Sequence, residues 1–88
     1  MVDPSPLRRT EGLPHQKMGD QALVVVPKQR EVHHLNPTAT RIWELLERET
    51  TVDEVVKALA GEYEADTATL RKDVEAALAD MRQKGLLA

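Results

Sequence analysis

An 88-residue chain makes one small domain with a thin core. Having no cysteine, it can form no disulfide, thiolate metal site or thiol redox centre, which suits a reducing compartment such as the cytoplasm. A net charge of −3, with Trp43 and Tyr63 the only aromatics, argues against a surface built to neutralise phosphates or stack bases.

Residues 1–14 carry three of the five prolines, the pair Arg8-Arg9 and few large apolar groups. Such a segment buries little and reads as a flexible or partner-dependent arm, leaving 15–88 as the domain proper. It lacks the apolar stretch of a secretory signal. A weak first strand is expected near His15 to Met18, followed by a turn at Gly19-Asp20. Ala22-Leu-Val-Val-Val26 is apolar at every position and β-branched at its three valines, as suits a strand covered on both faces or central in a small sheet. It is also the longest apolar run, far too short to span a membrane. Pro27 to Arg30 makes a polar turn. Glu31 to Leu35 is a third strand with Val32 and His34 on one face and Glu31, His33 and Leu35 on the other. Short loops imply an antiparallel meander, and three strands cannot close, so at least one edge stays open.

The strands give way to helix in one step. Asn36 is a good N-cap, Pro37 fits the first helical position, and Ala39, Ile42, Leu45 and Leu46 form an apolar stripe with Trp43 at its border. This helix is expected to run to about Arg48. Thr51 with Glu54 reads as a capping box opening a second helix, whose inward face is Val52, Val55, Val56 and Leu59 and which fades at Gly61. Asp66 or Thr67 caps a third, with the stripe Leu70, Val74, Ala77, Leu78 and Met81. Gly85 stands where a left-handed C′ residue belongs, with Lys84 in the last turn and Leu86 and Leu87 free to fold back.

Few constellations suggest chemistry. His33 and His34, with His15, tempt a metal reading, but neighbouring strand residues point to opposite faces and cannot share one ion without a bulge. The acidic residues of the helices alternate with Arg41, Arg48, Lys72 and Arg82, the pattern of a solvated face. There is no facing carboxylate pair, no Ser-His-Asp logic and no glycine-rich phosphate loop, so the chain reads as neither an enzyme nor a cofactor or metal carrier. The second and third helices with flanking strands suggest a winged helix. Yet the third opens Thr67-Ala-Thr-Leu-Arg-Lys-Asp-Val-Glu75, where acidic residues follow the basic pair at once. An unpaired strand edge beside a helix is a liability unless it is used, and adding a peptide strand is one use.

The order and spacing of several segments resemble PqqD-like proteins. The segments are an apolar strand ending near Pro27, a strand ending in Leu35-Asn36, then Ala39, Ile42 and Leu45-Leu46. Thr51-Val-Asp-Glu-Val-Val-Lys-Ala-Leu59, Tyr63, Asp66, Asp73-Val74, Leu78 and Lys84-Gly-Leu-Leu87 continue the pattern, so that it covers Ala22 to the C-terminus. The resemblance implies an α+β fold, a three-stranded antiparallel sheet packed on a three-helix, winged-helix-like bundle. It also implies a non-catalytic peptide chaperone, a recognition element for ribosomal precursor (leader) peptides. Such a protein presents its peptide to a modifying enzyme, commonly a radical S-adenosylmethionine enzyme, as in pyrroloquinoline quinone or related biosynthesis. Carried onto this chain, the peptide-binding positions are Val32, His33, His34 and Leu35 on the strand and Asp73, Ala76, Ala77, Asp80 and Lys84 on the third helix. Asp73 or Asp80 would favour a basic or hydroxyl-bearing side chain. The competing reading is a small winged-helix DNA-binding regulator.

The two readings separate in a gel-shift series. The mixed charges of the third helix lead us to expect weak duplex binding that vanishes steeply with added salt. Salt-resistant, sequence-selective retardation at nanomolar protein would favour the regulator.

Overall fold

The computed structural model describes residues 6–88. Three strands, β1 (His15–Met18), β2 (Gln21–Val26) and β3 (Glu31–Leu35), precede three helices, α1 (Pro37–Leu45), α2 (Val52–Ala60) and α3 (Thr67–Gln83). The sheet is an antiparallel meander in the order β1-β2-β3. Gly19 (φ 65°) makes the first turn; a single 3-10 turn over Pro27–Gln29 makes the second and ends on Arg30, whose φ of 54° is left-handed.

β2 is central, as its composition allowed, but only one of its faces is covered. Ala22, Val24 and Val26 are buried, while Leu23 and Val25 are half-buried on the face away from the helices. The buried face meets α1, where Ile42, Trp43 and Leu46 are buried, and the core continues through Val55, Val56 and Leu59 of α2 into Leu70, Val74, Leu78 and Met81 of α3.

Local chemistry sets the helix boundaries. The Asn36 side chain accepts from the Ala39 N–H at 2.8 Å, with Pro37 next in the chain. Buried Thr40 donates its hydroxyl to the Leu35 carbonyl at 3.2 Å, tying α1 to the end of β3. α1 is shorter than its periodicity suggests, ending at Leu45 with Leu46 as C-cap. Beyond it the chain turns so that Thr50 can pair with Leu7, the two exchanging backbone hydrogen bonds of 2.6 and 3.2 Å. Thr51 caps α2 by accepting from the Glu54 N–H at 3.2 Å, and the Glu54 carboxylate accepts from the Thr50 hydroxyl at 3.4 Å. α3 closes in a Schellman motif: Gly85 (φ 80°) donates to the Arg82 carbonyl at 3.1 Å and Leu86 to the Met81 carbonyl at 2.9 Å. Leu86 then has no exposed surface, the fold-back contact expected of it.

The segment read from composition as an arm is described from Pro6 onward, and there it lies along the body. Leu7 is part of the core, Thr10 donates to the Leu86 carbonyl at 2.9 Å, and Ala88 donates to the Arg8 carbonyl at 3.1 Å. Arg9 donates from Nε to the Trp43 carbonyl at 2.9 Å, its guanidinium 4.2 Å from the centre of the Trp43 ring. One leucine, backbone pairing and one stacked arginine hold a stretch that hydropathy alone would leave loose.

Two stability results should follow. Trp43 is 2% exposed and meets both the arm and the sheet side of the core. Trp43→Ala should therefore cost about 3–5 kcal/mol in chemical denaturation, and a loss under about 1 kcal/mol would contradict the packing described. The Arg41 guanidinium donates to both Glu62 oxygens, at 2.8 and 2.7 Å, and this hydrogen bonding holds the Glu62 carboxyl below the ordinary carboxylate range. The stability it contributes is complete above the ordinary carboxylate pKa and is lost as pH falls through the depressed folded value. Both side chains are more than a third exposed, so the gap between wild type and Glu62→Gln should stay below about 1 kcal/mol at neutral pH. Denaturation curves should show that gap closing in acid.

Candidate functional site

The backbone of the sheet determines what its edges offer. Val25 donates its N–H to the Pro14 carbonyl at 2.8 Å, on the β1 side of β2. Along an antiparallel strand, successive residues direct their N–H and C=O to opposite sides. Val25 and Leu23 therefore face β1, and Ala22, Val24 and Val26 face β3. Their β3 partners are Leu35, His33 and Glu31, respectively. Those three turn their polar backbone groups inward to β2, leaving the N–H and C=O of Val32 and His34 aimed at the open edge. Among the described residues nothing pairs with that edge.

The strand residues named from the sequence differ in what they can do. Val32 is 61% exposed and shares the uncovered sheet face with His34, Leu23 and Val25. His33 points to the helix side and is half-buried. Its Nε2 is sheltered from solvent and lies 3.3 Å from a Glu31 carboxylate oxygen, too poorly aligned for a hydrogen bond. Leu35 is 3% exposed and spent in the core, so it positions the strand and presents no surface to a ligand.

On α3, Asp73, Ala77, Asp80 and Lys84 recur at spacings of four, three and four residues and so form one row, with Ala76 on its solvent border. Ala77 is half-buried against the core, Asp73 is exposed, and Lys84 pairs with Asp80 at 2.8 Å. The far flank of α3 belongs to α2: Arg71 there is hydrogen-bonded to Asp53, which holds its pKa above the ordinary arginine value. The row therefore lies on the flank of α3 away from α2. The C-terminal end of the helix abuts the β2–β3 turn, where a Cβ on Gly85 would lie 3.1 Å from Gln29 Nε2 and 3.9 Å from Val26 Cγ1. The C-terminal end of α3 is thereby moored to the turn that leads into β3.

Among the described residues, no group of three or more His, Asp or Glu side chains is arranged to hold a metal ion, and no helix is long and apolar enough to cross a membrane. Sequence reasoning missed a second constellation, at the opposite edge of the sheet. There the His15 ring stands edge-on to Trp43 with centroids 5.5 Å apart, Lys17 pairs with Glu44 at 3.1 Å, and Arg9 covers the indole. Its signal was the Arg8-Arg9 pair, whose partners lie more than thirty residues along the chain.

The fold defines a small α+β domain of winged-helix type, a three-stranded antiparallel sheet packed on three helices. The chain belongs to the coenzyme PQQ synthesis protein D (PqqD) family, whose model matches residues 21–87. Solved structures agree. TbiB1, determined in complex with the TbiA(beta) leader peptide, is 25% identical with a TM-score of 0.85 over 91% of this chain and 93% of its own. A lasso peptide synthetase B1 complexed with a leader peptide is 20% identical, with a TM-score of 0.82 over 93% of this chain and 96% of its own. The PqqD truncation of Methylobacterium extorquens PqqCD, described as a functional and stand-alone recognition element for ribosomally synthesized and post-translationally modified peptides, is 22% identical. Its TM-score is 0.78, over 97% of this chain and 90% of its own. A search of curated protein sequences finds no significant match.

Proposed function

We propose that this chain is a non-catalytic recognition element that binds a ribosomal precursor peptide through its leader and presents it to a modifying enzyme. The observation that carries the reading is the unpaired backbone of Val32 and His34, in a chain whose fold matches two proteins determined with leader peptides bound. A leader laid along β3 as a fourth strand gains main-chain hydrogen bonds from those two residues, and its alternate side chains reach the Asp73–Ala77–Asp80 row. His33, Ala76 and Lys84 border the same space. Asp73 favours a basic or hydroxyl-bearing leader side chain there, whereas Asp80 is partly satisfied by Lys84. A cytoplasmic modifying enzyme, of the radical S-adenosylmethionine class in a pyrroloquinoline quinone-type pathway, is the partner this reading assigns. Pairing of Arg71 with Asp53 counts against a DNA-reading role for α3, because it occupies a cation that a phosphate would need.

Proline substitution tests the strand. The N–H of His34 faces outward, so His34→Pro removes an edge donor while sparing the β2–β3 ladder, and it should abolish precursor binding without shifting the denaturation midpoint. His33→Pro strikes the ladder itself and should unfold the sheet. Truncating either histidine to alanine should weaken binding by only about 0.2–1 kcal/mol, the range for cross-strand side-chain pairs. Labelled protein titrated with the precursor encoded beside it should show amide shifts at Val32 and His34. Shifts confined to residues 61–66, with 31–35 silent, would sink strand addition.

A further inference from the structure

The sheet has a second edge, at β1, and α1 stands beside it. Leu23 faces β1, and its partner there is Gln16, so Gln16 turns its backbone inward to β2. His15 and Lys17 therefore aim their N–H and C=O groups outward, and among the described residues nothing pairs with them. β1 is exposed at all four positions, with α1 alongside it.

Two cavities open between this edge, the arm and α1, of about 480 and 210 Å³, with Arg9, His15, Trp43 and Glu47 in the walls of both. Leu13 and Leu46 supply apolar wall in the larger one. Trp43, which lines both cavities, is 2% exposed, and its buried indole Nε1 has no acceptor among the described residues. The charges are uneven. Arg8 is paired with Glu49, Lys17 with Glu44, and Arg9 is held on Trp43, whereas Glu11 and Glu47 are in no ion pair among the described residues. Trp43 does not neutralise Arg9, so Glu11 and Glu47 stand against that one cation and the balance left in this cleft is negative. Arg9 feels the same field: burial lowers its pKa, and the nearby Glu47 and Glu44 carboxylates oppose that.

We propose that the β1 edge and its cleft against α1 form a second strand-addition site, which takes an extended, basic segment of a partner protein. The segment hydrogen-bonds to His15 and Lys17, lays its apolar side chains toward Leu13 and Leu46, and brings a lysine or arginine to Glu47 and Glu11. The two edges of one sheet can be filled together, so the domain could hold two extended chains on opposite sides. This site stands on its own geometry, whether or not β3 accepts a leader.

The probe is an end-blocked hexapeptide of alternating valine and arginine, titrated into the ¹⁵N-labelled full chain, with the valine–glutamate analogue as control. The expected result is shifts at the His15 and Lys17 amides and the Trp43 indole, from the arginine peptide only. These should persist in His34→Pro, which blocks the other edge, and so separate this site from the leader site. Lys17→Pro removes an outward donor and should abolish them. Glu47→Lys, which leaves the backbone alone, should weaken binding at least about threefold, so the charge argument remains testable if Lys17→Pro fails to fold. The proposal is overturned by no shifts at His15 and Lys17, by equal shifts from the glutamate peptide, or by full affinity in Glu47→Lys. It is equally overturned if those amides shift on raising protein concentration without peptide, which would assign the edge to a second copy of this chain.

Discussion

A three-stranded sheet that rests one face on helices builds its core on that side and leaves two rows of backbone groups over at its edges. That constraint governs this molecule. Val24 has no exposed surface and Ala22 and Val26 nearly none, so β2 cannot move without opening the core. β1 and β3 are then fixed by their ladders to it. The edges inherit the rigidity of the centre, and a peptide that pairs with such an edge does not have to order it first. The Thr40–Leu35 hydrogen bond and the Asn36 cap extend that rigidity from β3 into α1.

Charge pairs set the helices around this frame more by geometry than by energy. The Arg41–Glu62 pair joins α1 to the connection after α2, and Arg71–Asp53 joins α2 to α3. All four side chains are more than a third exposed, so each pair is worth little as stability. Their consequence is allocation: cations engaged with neighbouring helices are withdrawn from any ligand, which leaves Asp73 on the groove side and Glu47 on the other side as unspent charge.

Much of this was legible in the residues. Asn36-Pro37, Thr51 with Glu54, and Gly85 before Leu86 each state a helix boundary through a local hydrogen bond, and local rules hold wherever the partner is a few residues away. Alternation placed Val32 and His34 together on one face for the same reason, and the structure leaves that face uncovered. The arm was not legible, because its partners Trp43, Thr50 and Leu86 are distant in sequence and a single buried leucine leaves no periodic signal. Leu35, named from the sequence as a peptide contact, has a buried side chain: a strand pattern gives its face but not that this face is already filled at that position. The direction of the edge donors was equally hidden, since it depends on a hydrogen bond from Val25 to Pro14 that alternation of side chains does not encode.

Energetics constrain how the β3 edge can work for a leader. Val32 and His34 offer two N–H and two C=O groups, each bond worth about 0.5–1.5 kcal/mol net. Ordering the leader's backbone opposes this by roughly 1–2 kcal/mol per residue fixed. For a segment of four or five residues that cost, about 4–10 kcal/mol, equals or exceeds the roughly 2–6 kcal/mol from four bonds, so main-chain pairing supplies register and direction but no net affinity by itself. The surplus has to come from burial of leader side chains. Only one wall on that side is built for it: Ala76 and Ala77 are small enough to leave room for a large apolar group, with Asp73 one helical turn away. A strand brings side chains to one face every second residue, about 6.6–6.8 Å apart, and the step from Ala77 to Asp73 is about 6 Å along the helix. One leader side chain can therefore rest on the alanines while the next on the same face reaches the carboxylate. On the proposed reading, the edge would fix where a leader lies and α3 would decide which leader stays.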